Sequence, residues 1–370
     1  MTRIPLLNGL RGIAILGVIF HHSFFPYILY GKGHHLTPLL ILESSGWLGV
    51  NLFFFLSGFV LFLPYAERKR RFSDWKSYRS YLGHRAKRLI PLYYITTFTF
   101  LIFICAYQLN DQALYRNIAD YAFATYIFRQ ETFFPPANWV LWSLGVEVWF
   151  SVFFPVVVLA IEKYGWKKTL LTVLIISLTV RVMGRMVLPA TTRPTINWLS
   201  DSLPGRLDEF VIGMLSATLF LKRWKLARPL YQLAIGVFLV TASMTLWALW
   251  YRGHFTFAAA GLFNLPFDFG ILLTVNALLT GCRPVASLIC AWPLQMSGLM
   301  CYSLYLWHGQ IISKYRPSAY TAPTFLGYLG LVYLVSWLSY RYIEFGAVKE
   351  WRALLPSTRK VDAAVAAPAD

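Results

Sequence analysis

Apolar segments long enough to cross a bilayer recur along the whole chain of 370 residues. A hydrocarbon core about 30 Å thick needs about 20 apolar residues in a helix, which must satisfy its own backbone hydrogen bonds. The sequence therefore predicts an all-α polytopic membrane protein, a bundle of about ten transmembrane helices. The predicted helices lie near residues 10–28, 47–65, 89–108, 139–161, 169–188, 206–222, 230–250, 259–280, 290–312 and 324–343.

Composition supports one membrane domain with short connections. Hydrophobic residues make up 57% of the chain and charged residues 14%, whereas soluble domains are about 25% charged. Residues 1–346 are expected to form the transmembrane domain, and residues 347–370 a C-terminal tail. The end of this tail, after Lys360, is rich in Ala, Pro and Asp and is predicted to be disordered.

The distribution of basic residues predicts the orientation in the membrane. If the N-terminus is cytoplasmic, the inner connections and termini hold 22 Lys and Arg residues and the outer connections hold 7. Nine of the inner ones lie between Arg68 and Arg88. Since cytoplasmic loops are enriched in Lys and Arg, ten crossings with both termini cytoplasmic are expected.

The net charge of +18 does not indicate nucleic acid as a partner. The basic residues lie between apolar segments and form no nucleic-acid-binding motif. The four cysteines lie in or beside apolar segments without paired spacing, so neither a disulfide framework nor a zinc site is predicted. No metal site is expected.

Arg11 and His22 are the most informative ionisable pair in a predicted span, where such groups are costly. Eleven residues make three helical turns plus about 20°, so both side chains lie on one face, about 16 Å apart along the axis. A cation at the cytoplasmic entrance and a base deeper inside suit a channel for an anionic donor. The alternative is an arginine that contacts lipid headgroups and a histidine bonded to a neighbouring helix.

Glu147 lies in the predicted fourth helix at a depth close to that expected for His22. If the first and fourth helices touch, its carboxylate could orient the imidazole of His22 as a general base. The alternative is a structural polar pair between two helices.

Arg85 and Arg88 lie three residues apart at the start of the predicted third helix and are expected to share a face. Two guanidinium groups at the cytoplasmic edge suit a ligand that carries phosphates. The same residues could equally serve as topology signals.

Arg206, Asp208 and Glu209 open the predicted sixth helix near its outer end. Acidic residues are favoured at a helix N-terminus, and the two carboxylates are interpreted in this way.

Five segments follow one another along the chain: LNGLRGIAI at 7–15 with His22, GVNLFFFLSGF at 49–59, RAKRLIPLY at 85–93, WSLGVE at 142–147 and YSLYLWH at 302–308. Together and in this order they resemble acyltransferase family 3, the bacterial integral-membrane O-acyltransferases. The chain departs from the family at Gly145, where a serine is usual, and at Val148, where a second glutamate is common. Without an SGNH-hydrolase-like extension, it resembles the stand-alone members.

The resemblance implies an enzyme that transfers an acyl group, commonly acetyl, from acyl-CoA to a hydroxyl of a cell-surface carbohydrate or lipid-linked glycan. It implies a multi-pass protein of the bacterial cytoplasmic membrane with no tightly bound cofactor. Arg85 and Arg88 would bind the phosphates of the donor, and Arg11 would help to hold it. His22 would act as the base or carry the acyl group, with Glu147 as its partner.

Two alternatives stay open from the sequence. The acceptor could be a small molecule such as a macrolide, which would use the same residues. The protein could also be a transporter or flippase for an anionic solute along the face of Arg11 and His22, although the sequence shows no internal repeat of the kind typical of transporters.

Overall fold

The computed structural model describes residues 4–23, 38–103, 112–135, 138–187, 196–226, 228–315 and 321–344. Every regular element in these ranges is helical. Short 3-10 helices cover Gly46–Leu48 and Thr125–Phe128, and a π-helical turn covers Tyr340–Glu344. The α-helices are Pro5–His22 (α1), Pro38–Ser45 (α2), Gly49–Ala66 (α3), Trp75–Phe103 (α4), Gln112–Phe123 (α5), Leu141–Met186 (α6), Leu203–Leu221 (α7), Pro229–Tyr251 (α8), Phe257–Ala260 (α9), Asn264–Thr280 (α10), Arg283–Ile289 (α11), Trp292–Leu299 (α12), Cys301–Lys314 (α13) and Ala322–Ser339 (α14).

Five helical segments in the described ranges are long and apolar enough to cross a membrane. In the most apolar stretch of the last one only 22% of the residues are buried, so most of its hydrophobic side chains point outward. Such a surface is stable in lipid and not in water. The protein is therefore an all-helical membrane protein, and the count of ten crossings stays a prediction. The five segments are Leu40–Ala66, Leu141–Met186, Pro229–Tyr251, Phe257–Thr280 and Ala322–Glu344.

The long helix α6 contains two predicted spans. Its 46 residues would reach about 69 Å if straight, more than twice the thickness of the hydrocarbon core. Gly165 breaks it with a φ of 79° and a ψ of 166°, a conformation that residues with a side chain rarely adopt. The break falls among Lys163, Lys167 and Lys168, between the segments predicted at 139–161 and 169–188.

Helix α1 is shifted from its predicted position of 10–28. It starts at Pro5, a residue whose fixed φ suits the first helical turn, and ends at His22. Ser23 has extended backbone, with a ψ of 171°, and its hydroxyl donates to the Phe20 carbonyl oxygen over 2.9 Å. The predicted end at residue 28 is wrong because Ser23 stops the helix.

The predicted third helix begins earlier than residue 89, because α4 starts at Trp75. The side chain of Asp74 accepts a hydrogen bond from the backbone N–H of Ser77 over 2.8 Å, which is the usual bond at a helix start.

The predicted ninth helix, 290–312, is not continuous. Pro293 lies in the first turn of α12, where proline is favoured, and α12 ends at Leu299. Met300 follows with a φ of −92° and a ψ of 9°, and α13 begins at Cys301, so two helices replace one long helix.

The chain divides into two compact units. Among the described residues, the first unit holds those of 1–70 and 208–301, and the second holds those of 71–207 and 302–348. The predicted tail, 347–370, lies outside the described residues.

Glycine residues allow the helices of the first unit to approach closely. Gly12 of α1 faces the backbone of Leu294 in α12, and Gly298 of α12 faces Asn8 of α1. A Cβ atom at either glycine would collide with the opposite carbonyl oxygen. Small residues at such crossings are typical of helix packing in membranes, where van der Waals contact holds the helices together.

Polar side chains connect the helices of the second unit. Gln310 of α13 donates to the backbone carbonyl oxygen of Thr96 in α4 over 3.0 Å. Trp307 of α13 donates its indole N–H to the hydroxyl of Ser339 in α14 over 2.6 Å. Because such bonds are directional, they fix the rotation of α13 against its neighbours.

Candidate active site

Helix α1 carries Arg11 and His22 on one face, as the spacing predicts. The helix is regular between them, and Ile15 and Val18 on the same face are fully buried. This face is therefore directed into the first unit. Both Arg11 and His22 are half-buried, and the guanidinium of Arg11 donates to the Asn8 side chain over 3.1 Å.

His22 is the last residue of α1, and this position changes its expected depth. The prediction placed it well inside a longer helix, at the level of Glu147. In the structure a regular helix connects it to Arg11, but the backbone turns away directly after it. The ring of His22 packs edge-on against the ring of His21, with ring centres 4.8 Å apart.

Arg85 and Glu147 form an ion pair in the second unit. The Nη2 atom of Arg85 lies 2.9 Å from the Oε1 atom of Glu147, and its Nε donates to the hydroxyl of Ser151 over 3.0 Å. The hydroxyl of Ser151 donates in turn to the backbone carbonyl oxygen of Glu147 over 2.9 Å. The arrangement positions the Glu147 carboxylate between α4 and α6.

Arg85 and Arg88 do not present the same environment, although they lie on one helix. Arg85 is 8% exposed, whereas Arg88 is exposed. Arg88 also lies close enough to Glu344 for their charges to interact. Of the two predicted phosphate ligands, Arg88 is the exposed one, whereas Arg85 is buried in its ion pair with Glu147.

The predicted pairing of His22 with Glu147 stays a prediction. His22 belongs to the first unit and Glu147 to the second. The partner that the structure gives Glu147 within its own unit is Arg85, and this partner could not be identified from the sequence.

The segment 302–308 is part of the interior of the second unit. Tyr302 donates its hydroxyl to the Leu89 carbonyl oxygen over 2.6 Å, and Tyr305 donates to that of Val140 over 3.0 Å. His308 is fully buried, and its Nδ1 lies 2.8 Å from the Tyr305 carbonyl oxygen. Because a carbonyl only accepts, this hydrogen bond uses Nδ1–H as the donor.

A second charge cluster of the second unit surrounds Asp201, which lies between α6 and α7. Its carboxylate accepts from Arg206, from Arg185 over 3.4 Å and from the Ser200 hydroxyl over 2.7 Å. Burial favours a raised pKa of the Asp201 carboxyl, but Arg206, Arg185, Ser200 and the backbone N–H of Asn197 hold the pKa below its usual value. The cluster thereby ties the start of α7 to this loop.

Three buried carboxylates converge in the first unit: Asp208 and Glu209 of α7 and Asp268 of α10. Their oxygen atoms lie within 4.8 Å of one another, and Asn51 and Asn264 donate to Glu209 over 3.0 and 3.2 Å. Charged carboxylates so close together would repel one another, and a bound cation would reduce this repulsion. Within the described ranges, this is the group with the spacing to hold a metal ion.

The helix-start interpretation of Asp208 and Glu209 is therefore incomplete. Both side chains are fully buried in α7 and contribute to a cluster in the interior. A signal was present in the sequence, because Asp268 lies inside the apolar segment 259–280, where an acidic residue is costly. The convergence of the three could not be derived from their spacing.

The chain belongs to the acyltransferase 3 family, whose acyltransferase-domain profile matches residues 4–341. It is therefore a helical membrane protein of an acyltransferase family. The peptidoglycan O-acetyltransferase OatA of Listeria monocytogenes is 24% identical over an alignment of 386 positions, which covers 92% of this chain and 55% of the relative. The O-acetyltransferase OatA of Staphylococcus aureus is 25% identical over an alignment of 379 positions, which covers 92% of this chain and 56% of the relative.

A shorter match extends beyond bacteria. The ORF330 protein of Acidianus two-tailed virus is 34% identical over 154 residues, which cover 41% of this chain and 40% of the relative. The chain spans about half the length of the curated relatives it matches. No solved structure is significantly similar to it.

Proposed function

We propose that this protein transfers an acyl group, most simply acetyl, from acyl-CoA to a hydroxyl of a cell-surface carbohydrate or lipid-linked glycan. The observation that carries the proposal is the placement of Arg11 and His22 on one buried face of α1, in a chain of an acyltransferase family. The names of the relatives support a carbohydrate acceptor and an acetyl group. The proposed location is the bacterial cytoplasmic membrane, with no tightly bound cofactor.

In the proposed mechanism, the imidazole of His22 accepts the proton of the acceptor hydroxyl while its oxygen attacks the thioester carbonyl carbon. The new C–O bond forms and the C–S bond breaks. The proton passes from His22 to the departing thiolate, so the products are the ester and free CoA. A general base of this kind contributes about 100-fold to 10,000-fold to the rate.

The donor is assigned to the side of the basic connection. Arg88 is exposed beside the buried pair of Arg85 and Glu147, so it would contact the CoA phosphates. Arg85 would not contact the donor and would keep Glu147 in position through their ion pair. Arg11 would interact with the donor from α1, about 16 Å along the helix axis from His22.

The proposal predicts that His22→Ala removes acyl transfer while the protein accumulates normally. The gene is deleted in its host and complemented with wild type, His22→Ala or His254→Ala, and the surface glycan is analysed by mass spectrometry. His254 is exposed and lies outside the proposed site, so its variant is the matched control. We expect the acyl mass to return with wild type and His254→Ala and to fall at least about 100-fold with His22→Ala.

Three other outcomes would contradict the proposal or support one of the alternative functions. A normal glycan acyl content with His22→Ala would contradict the role of this residue. Acylation of a small molecule, with an unchanged glycan, would support the second acceptor class. Solute movement without consumption of acyl-CoA would indicate a transporter.

A further inference from the structure

A cavity of about 640 Å³ with both polar and apolar lining residues lies in the first unit beside the C-terminal end of α1. Its polar lining consists of His21, Glu43, Ser44, Tyr251 and Arg252, contributed by α1, α2 and the end of α8. The volume falls within the range of about 300–1,000 Å³ that is typical of small-molecule sites. The cavity contains none of the residues assigned above to the donor.

The cavity lies next to the proposed base. His21 lines it, and the His21 ring contacts the His22 ring with centres 4.8 Å apart. The Nδ1 atom of His21 lies 2.5 Å from the backbone carbonyl oxygen of Glu43. Because the carbonyl only accepts, this bond uses Nδ1–H as the donor and fixes the end of α1 against α2. A ligand in the cavity would therefore contact His21, whose ring packs against the ring of His22.

The chemistry of the lining distinguishes between the two substrates. Glu43 supplies a carboxylate that accepts hydrogen bonds from hydroxyl groups, and Arg252 supplies several N–H donors. Tyr251 supplies an aromatic ring whose face can pack against the C–H face of a sugar ring. The carboxylate disfavours a ligand with several phosphates, such as CoA, because like charges repel. The combination suits a neutral or weakly acidic molecule rich in hydroxyls.

We propose that this cavity binds a sugar ring of the acceptor, with Glu43 and Arg252 as hydrogen-bonding residues and Tyr251 as the stacking surface. The proposal rests on the proposed function and adds the acceptor site to it. In the predicted topology the ends of α1 and α8 both face outward, opposite the basic connection that would receive the donor. The predicted topology thus assigns donor and acceptor to opposite sides of the membrane.

The test uses the purified full-length protein in detergent, with two probe sugars. One is the peptidoglycan disaccharide of N-acetylglucosamine and N-acetylmuramic acid, and the other is the neutral disaccharide of N-acetylglucosamine. Direct binding is measured with the His22→Ala protein, so that turnover does not interfere. We expect Glu43→Gln and Arg252→Gln each to weaken disaccharide binding about tenfold, the scale of one lost charge-assisted hydrogen bond.

Matched variants separate a binding effect from a folding effect. Arg228→Gln lies at the other end of α8, is exposed and should leave binding unchanged. Tyr251→Phe keeps the ring and should retain binding, whereas Tyr251→Leu should lose about tenfold. In the active protein, the cavity variants should raise KM for the sugar and leave KM for acetyl-CoA within twofold.

The experiment distinguishes a failure of the proposed function from a failure of the proposed sugar site. If a disaccharide binds and the cavity variants lose it, but wild type transfers no acetyl group, the proposed function fails and the sugar site stands. If the cavity variants bind as tightly as wild type, or if neither disaccharide binds a protein that acetylates glycan, the sugar site is overturned. A rise in KM for acetyl-CoA alone would assign the cavity to the donor and would also overturn it.

Discussion

Arg85 and Arg88 show that residue type and spacing do not determine whether a side chain is available to a ligand. The packing around the side chain decides it. Both are arginines on one helix, three residues apart, and both were expected to bind phosphate. The packing of α6 covers Arg85 and pairs it with Glu147, while Arg88 is left exposed. Burial makes the loss of one partner of such a pair costly, because the remaining charge loses its compensation.

We therefore expect Glu147→Gln and Arg85→Gln each to lower the free energy of unfolding by about 1–3 kcal/mol, since the pair is largely but not completely buried. Arg88→Gln should change it by no more than about 0.5 kcal/mol, as is usual for an exposed side chain. The measurement is thermal unfolding of the purified protein in detergent, for the single variants and the Arg85→Gln/Glu147→Gln double variant. Additive losses in the double variant, or equal losses for Arg85 and Arg88, would show that the ion pair does not stabilise the fold.

At the scale of single residues, the sequence predicts relations within one helix but not contacts between helices. The shared face of Arg11 and His22 follows from the helical repeat alone, and the structure confirms it. The ion pair of Arg85 with Glu147 joins residues 62 positions apart, and the cluster of Asp208, Glu209 and Asp268 joins two helices. Such contacts depend on which helices pack together, and a single sequence does not contain that information.

Helix crossings through glycine give a prediction at the scale of the element. The crossing of α1 and α12 leaves no space for a Cβ atom at Gly12, because the Leu294 carbonyl oxygen occupies it. Gly12→Ala should therefore push the two helices apart and lower the free energy of unfolding by about 1–3 kcal/mol.

Gly330→Ala is the matched control for Gly12→Ala. Gly330 is also helical, but no neighbouring atom lies within 4 Å of an added Cβ. This substitution should be neutral or stabilise the helix by up to about 1 kcal/mol, because alanine has the higher helix propensity. If both variants lower the unfolding temperature by the same amount, the crossing of α1 and α12 is looser than described.

The sequence located most elements but misjudged their ends. The spans predicted at 47–65 and 230–250 lie within one or two residues of α3 and α8, because long apolar runs with clear limits define them. The ninth span was predicted as continuous because its hydropathy is continuous, whereas the helix is interrupted at Met300, between α12 and α13. The early start of α4 has a local signal in Asp74, which hydropathy does not detect.

At the scale of the whole molecule, the candidate residues are distributed over both units. Arg11, His22 and the sugar cavity belong to the first unit, and Arg88 and the pair of Arg85 with Glu147 belong to the second. Each unit is built from segments that are distant in sequence. The proposed reaction therefore requires an intact chain, and its assignment of donor and acceptor to opposite sides depends on the orientation in the membrane.

The predicted orientation can be tested with single cysteines in a variant whose four native cysteines are replaced by alanine. Lys225 and His254 flank α8, whose 23 residues span about 34 Å, enough to cross the hydrocarbon core. In intact cells, a membrane-impermeant maleimide should label His254→Cys and should label Lys225→Cys only after the membrane is opened. Thr2→Cys and Ala367→Cys should both be protected, because an even number of crossings places both termini in the cytoplasm. Labelling of Ala367→Cys alone would mean an odd number of crossings. Labelling of Lys225→Cys in place of His254→Cys would reverse the membrane sides assigned to donor and acceptor.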